Sequence, residues 1–168
     1  GGEGADTINP GGGGYTAMGE GGDDFIFAVN GSDNADGGTG FDTVDTTSYG
    51  GDYLVNLVTG LTNFGGETLA NFEAVFSGIG NDTLLGTAVG NLMRGNAGAD
   101  TSTGEAASDS LFGEAGADTL NGGSEADSLD GGTENDFLFG GDGSDVLAGG
   151  GGGGYFDPGT ASDATSGG

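Results

Sequence analysis

The sequence predicts an all-β fold, a parallel β-roll (β-solenoid) of stacked 18-residue coils, and three observations lead there. A nine-residue period runs through most of the 168 residues. Within each nonamer one position is a large apolar residue and another is Asp. The composition combines 44 Gly with 27 acidic residues and a single basic one, Arg94. At 33% hydrophobic residues, composition alone would place the chain among disordered polymers. Its Gly residues follow no G-X-Y repeat, which excludes collagen. The period is therefore the organising feature.

The first block, residues 1–45, reads as five nonamers: GGEGADTIN, PGGGGYTAM, GEGGDDFIF, AVNGSDNAD and GGTGFDTVD. In each, six Gly-rich residues ending in Asp suit a turn, because Gly alone enters positive φ freely. The last three suit a short strand with position 8 facing inward. Residues 46–76 break the phase but still alternate, with Val55 and Leu57 opposed to Leu54 and Asn56. Phe72, Ala74 and Phe76 should share one side there, with Glu73 and Val75 on the other. This spacer is expected to form wider coils continuing the solenoid. Glu73 and Asn56 carry ligand oxygens but read first as satisfied turn or surface residues. The second block, residues 77–168, holds ten nonamers from SGIGNDTLL to the degenerate PGTASDATS.

Position 8 holds Ile8, Ile26, Val44, Leu84, Met93, Leu111, Leu120, Leu129, Leu138, Leu147 and Phe156. Smaller or polar residues interrupt this column at Ala17, Ala35, Ser102 and Thr165. Since each turn reverses the chain, two nonamers close one coil and residues 18 apart stack about 4.8 Å from one another. One apolar side chain per nine residues contributes about 1.5–3 kcal/mol. That cannot offset about 1 kcal/mol or more of backbone entropy for each residue ordered. A further cohesive term is required.

Position 6 identifies it. Asp6, Asp24, Asp33, Asp42, Asp82, Asp100, Asp109, Asp118, Asp127, Asp136, Asp145 and Asp163 occupy that position. One edge of the second block collects Asp82, Asp100, Asp118 and Asp136, and the other Asp109, Asp127, Asp145 and Asp163. In the first block Asp6, Asp24 and Asp42 share an edge. Carboxylates about 4.8 Å apart repel by roughly 3–4 kcal/mol at an effective dielectric of 20. An Asp in a single nonamer would be explained equally well as a turn cap. Twelve in register call for a cation between the rungs. Carboxylates together with uncovered turn carbonyls suit Ca²⁺, which takes 6–8 oxygens in flexible geometry. Zinc or copper would want His or Cys, and the chain has neither. Eight Asp pairs lie 18 apart (6/24, 24/42, 82/100, 100/118, 118/136, 109/127, 127/145 and 145/163) and predict about eight Ca²⁺ sites. Eight divalent ions would take the formal charge from −26 to about −10. Tyr15, Asn91 and Gly154 replace the Asp, so sites at those turns should be weak or empty. Position 4 departs from Gly at Val89, Ala107, Glu125, Glu134 and Ala161, where strained turns are expected.

GGEGADTIN and GGTGFDTVD fit the pattern G-G-x-G-x-D-x-U-x, with U a large apolar residue, and so resemble the RTX (hemolysin-type calcium-binding) nonapeptide-repeat family. Residues 46–76 resemble the spacers that interrupt such arrays. The resemblance implies a right-handed β-roll with Ca²⁺ shared between turns of adjacent coils. It also implies type I secretion, and a chain that stays unfolded until it meets extracellular calcium. The function expected is a calcium-binding structural module of a secreted bacterial protein, a stiff rod in an adhesin, surface layer or extracellular fibre. The alternative is the C-terminal secretion and folding appendage of a type I-secreted enzyme or toxin whose active domain lies elsewhere. Lacking a Met start and a leader-like segment, the sequence is expected to be part of a longer chain.

Other classes fare worse. Without His, Cys or Lys there is no imidazole base, thiol nucleophile or Schiff-base amine, so no enzyme is expected. Nucleic acid is a poor partner and none is expected, because counterion release needs cationic side chains. No apolar run reaches membrane-spanning length, and no membrane insertion is expected. Calcium ions are the partners expected, along with further copies of the chain end to end or side by side in a fibre.

Overall fold

The computed structural model describes residues 1–11, 13–28 and 34–167, and these form strands joined by turns, with no helix among the described residues. Accordingly, no helix is present that is long and apolar enough to cross a membrane. Outside residues 46–76 the strands alternate between two sheets, of 11 and 9 strands among the described residues. One coil of the second block shows the rule. Strand Thr101–Ala106 lies in the first sheet, Ser110–Ala115 in the second, and Thr119–Ser124 returns to the first. Pairing is parallel at a constant offset of 18, with Ser102 opposite Leu120 and Leu111 opposite Leu129.

The core is the space between the sheets. Ile26, Val44, Val75, Met93, Leu111, Leu129 and Leu147 line it from one side, each essentially without solvent exposure. Ala17, Ala35, Leu69, Val55, Leu84, Leu120 and Leu138 line it from the other. Ile8 and Phe156 pack against its two ends, partly exposed. Ser102 stands in the inner column between Leu84 and Leu120, and its buried hydroxyl has no hydrogen-bond partner.

Two features differ from expectation. Several strands run for six residues rather than three, as in Phe137–Asp142. Ladder pairing continues past the apolar triplet, with Glu105 opposite Gly123 and Ala106 opposite Ser124. The reversal itself is confined to the next three residues, because backbone groups stacked in parallel register go on pairing through the left-handed residue at position 2, as at Glu105 (φ 81°) and Gly123 (φ 110°). The second concerns position 4. Ala107 (φ 72°), Glu125 (φ 79°), Glu134 (φ 74°) and Ala161 (φ 101°) do adopt the left-handed conformation there. Val89, whose branched Cβ tolerates it worst, does not, and its turn is built differently.

Residues 46–76, expected as wider coils, carry an antiparallel meander within the first sheet. Strand Leu54–Asn56 pairs in parallel with Thr83–Leu85, and Thr68–Ala70 with Asn34–Thr39. Between them, Leu61–Thr62 runs antiparallel to both. Strand Ala74–Phe76 then joins the second sheet between Thr43–Asp45 and Leu92–Arg94. The two blocks are thus joined through both sheets without a gap in either. Val75 faces the core, while Phe76 faces outward beside Phe25 and beneath Arg94, whose guanidinium lies 5.5 Å from the Phe76 ring and 5.0 Å from that of Phe112. Phe72, expected on the same side as Phe76, is instead only 2% exposed within the core, because the turn at 71–73 interrupts the alternation.

Leu120→Ala should cost about 2–5 kcal/mol by leaving a cavity that stacked backbone cannot collapse to fill. Ser102→Ala should instead stabilise the fold by about 1 kcal/mol, since it removes a buried hydroxyl without a partner. Thermal unfolding of the two folded variants checks both signs.

Candidate metal centre

Each described Asp of position 6 ends a turn and immediately precedes a strand, so the parallel register stacks these carboxylates along two edges. Their arrangement repeats closely. One carboxylate oxygen accepts the main-chain N–H of the equivalent residue 18 positions earlier. Asp24 Oδ1 accepts from Asp6 at 2.8 Å, Asp42 from Asp24 at 2.7 Å, and Asp100 from Asp82 at 2.7 Å. Asp118, Asp127, Asp136, Asp145 and Asp163 do the same at 2.8–3.0 Å. The rungs are therefore locked to the backbone of the neighbouring coil.

The second oxygen is left over. Oδ2 of Asp24, Asp42, Asp82, Asp100, Asp109, Asp118, Asp127, Asp136 and Asp145 is buried without a hydrogen-bond partner among the described residues. A desolvated, unpaired carboxylate oxygen costs several kcal/mol, so nine of them along the two edges call for positive charge nearby. All but Asp82, whose turn begins with Ser77, point at the first Gly of their own turn. A methyl group on Gly113 would collide with Asp118 Oδ2 and lie 2.6 Å from the carbonyl oxygen of Gly131. On Gly104 it would meet Asp109 Oδ2 and lie 2.7 Å from the Gly122 carbonyl, and on Gly122 it would meet Asp127 Oδ2 and lie 2.7 Å from the Gly140 carbonyl. A carboxylate oxygen of one turn and a carbonyl oxygen of the next coil thus converge where glycine leaves room. Among the described residues no three acidic side chains gather closely enough to hold an ion alone. The donor set is accordingly mixed carboxylate and carbonyl, a hard-oxygen set that fits Ca²⁺.

Burial pushes the carboxyl of Asp100 up to about 7, and those of Asp109, Asp118 and Asp127 up to about 6. The main-chain N–H that each accepts pulls the other way, and the charge of the stacked neighbour adds to the rise. Burial likewise raises Asp42 and Asp136.

Asn91 shows what a rung looks like when no charge has to be met. Its main-chain N–H still donates to Asp109 Oδ1 at 2.7 Å. Its amide oxygen, however, accepts the Thr87 N–H at 2.7 Å, and its Nδ2 donates to the Glu73 carbonyl at 3.0 Å. The amide is satisfied internally, in contrast to the carboxylates on the same edge.

The structure also joins what the sequence left separate. Asp6, Asp24 and Asp42 stand on the same edge as Asp109, Asp127, Asp145 and Asp163, with Glu73 and Asn91 filling the rungs between them. Asp82, Asp100, Asp118 and Asp136 occupy the opposite edge. Asp33 lies outside the described residues. A companion ladder at position 5 was not anticipated. Asp23 and Asn81 accept from Phe41 and Ala99 at 2.8 Å, and Asp52 accepts from Asn81 at 2.9 Å, all in the direction opposite to the position 6 bonds. The Asp or Asn at these positions was the available signal, diluted by Ala and Ser in other repeats.

A family model of the RTX calcium-binding nonapeptide repeat matches the chain in four copies, at residues 1–17, 16–44, 94–129 and 121–155. No curated protein matches it.

The raised carboxyl values fix the pH behaviour without metal. The usual carboxyl value is 3.8, so the folded chain binds more protons than the unfolded one. The stability these carboxyls contribute is fully present below about pH 4 and is lost as pH rises through the folded values of about 6–7. In chelator, β-structure should therefore appear on acidification from pH 8 towards pH 4, as followed by circular dichroism.

Proposed function

The chain belongs to the RTX calcium-binding nonapeptide-repeat family, and on that premise we propose that it is a rod folded by extracellular calcium, a structural module of a secreted bacterial protein. The observation that carries this reading is the line of buried Asp Oδ2 atoms without partners, which at Asp24, Asp42, Asp109, Asp118, Asp127 and Asp145 face a glycine-lined gap and a carbonyl from the next coil. Asp6, Asp24, Asp42, Asp82, Asp100, Asp109, Asp118, Asp127, Asp136, Asp145 and Asp163 are assigned as ligands, with about eight ions bridging stacked turns. Bound calcium supplies the positive charge that the ladders lack and ties successive coils together. The chain's own residues do the rest: Oδ1 sets the spacing of the coils, glycine at position 1 opens the gap, and the inner apolar column excludes water.

Such a device separates two environments. At the low free calcium of a cytoplasm the uncompensated ladders oppose folding, which suits passage through a secretion channel as an extended chain. Outside the cell, binding energy becomes folding energy, because the sites exist only in the stacked form. The folded product is stiff, since its two sheets continue through the spacer, and it suits an adhesin, surface layer or fibre. No catalytic role is assigned. The acidic residues of the ladders are accounted for by rung bonding and cation charge, without an imidazole, thiol or amine to work with them.

Far-UV circular dichroism during a calcium titration at neutral pH tests the reading. A cooperative change from coil to β with calcium, and none with equal magnesium, is expected. Asp118→Asn, in the middle of one ladder, should move the midpoint to several-fold higher calcium and lower the cooperativity. A β spectrum of full amplitude in excess chelator at pH 8 would overturn the proposal.

A further inference from the structure

The edge holding Asp42 does not stop where the first block ends. Asp24 donates its main-chain N–H to Asp42 Oδ1 at 2.7 Å, and Asp42 in turn donates to Glu73 Oε2 at 2.9 Å. The register is unbroken, with Val44 opposite Val75, which places Glu73 one rung beyond Asp42. The turn before Glu73 is short: residues 71–73 join Thr68–Ala70 to Ala74–Phe76, where a regular repeat uses six residues between its apolar triplets. The additional methylene of Glu compensates for that shortened approach.

The gap beside this rung has the same construction as in the repeats. Asp42 is fully buried, and its Oδ2 has no partner. A methyl group on Gly37 would lie 2.8 Å from Asp42 Oδ2 and collide with the carbonyl oxygen of Asn71. In the preceding coil, a methyl on Gly19 would meet Asp24 Oδ2 and the Gly37 carbonyl in the same way. The Asn71 carbonyl thus takes the part played elsewhere by a repeat glycine. Asn71 has φ 56°, and its side chain donates to Asp36 Oδ1 at 2.7 Å. Asn71 and Glu73 also line a cleft of about 360 Å³ with Leu57, Thr87 and Val89, so the site opens to solvent on one side.

We propose that Asp42, the Asn71 carbonyl and Glu73 form a calcium site across the junction of the first block and the spacer, one that the nonapeptide pattern does not encode. It rests on the calcium reading of the ladders. It ends at Glu73, because Asn91 on the following rung satisfies its own amide.

Calcium stoichiometry by equilibrium dialysis and calorimetry on the whole chain tests it, comparing the native protein with Glu73→Gln. The amide oxygen can still accept the Asp42 N–H, so the fold should survive while one calcium is lost and the other sites keep their affinity. Glu73→Asp covers the case in which Glu73→Gln does not fold. It retains the charge but not the reach, and one site should weaken at least tenfold at unchanged total stoichiometry. A native protein that binds no calcium would remove the calcium reading as a whole. Native binding with an isotherm unchanged in Glu73→Gln, or in Glu73→Asp where only that variant folds, would overturn the junction site alone.

Discussion

Everything in this fold turns on a carboxylate that is only half satisfied. Stacking identical turns in parallel register puts Asp above Asp, and the main chain of the neighbouring coil takes one oxygen of each. The other oxygen is sealed from water with nothing to bond. Stacking therefore creates a repulsion and a desolvation cost that grow with every coil added. Burial raising the Asp carboxyls is the same cost seen through protons. A cation placed in the glycine gaps would relieve it.

The thin core follows from the same arrangement. Only one large side chain per nonamer reaches the interior, yet those side chains are almost completely buried. Two facing sheets with no gap along the stack make this possible. The spacer shows how far the plan tolerates variation. It abandons the nine-residue phase, reverses one strand and inserts aromatic side chains, with Tyr53 donating to Glu67 at 2.5 Å and Tyr49 packed on Phe64. It still presents parallel edges to the blocks on either side. A sheet edge requires only a matching row of N–H and C=O groups, so a meander substitutes for coils without breaking the stack.

The family membership and the geometry reinforce one another from different directions. The family model matches residues 1–44 and 94–155, within the repeat blocks, and does not reach the spacer. The ladder bond, in contrast, continues into the spacer at Glu73. Asn91 provides an internal comparison: on the same edge, with the same main-chain bond, an amide finds partners where the carboxylates do not.

The sequence by itself determined the parallel stack, the 18-residue offset, the inner apolar column and the identity of the repeating Asp, because each is a strict consequence of period. It also determined the hard-oxygen chemistry, since His and Cys are absent. Only the tertiary structure decided that the Asp residues of the two blocks share an edge, because the spacer destroys the phase by which they would be counted together. It also decided that Phe72 turns inward, that strands outlast their apolar triplets, and that Glu73 takes a rung. Each of these depends on how many residues a turn consumes and on how far ladder pairing continues into it. Such quantities come from backbone closure against a neighbouring coil, which no local pattern of residue types records.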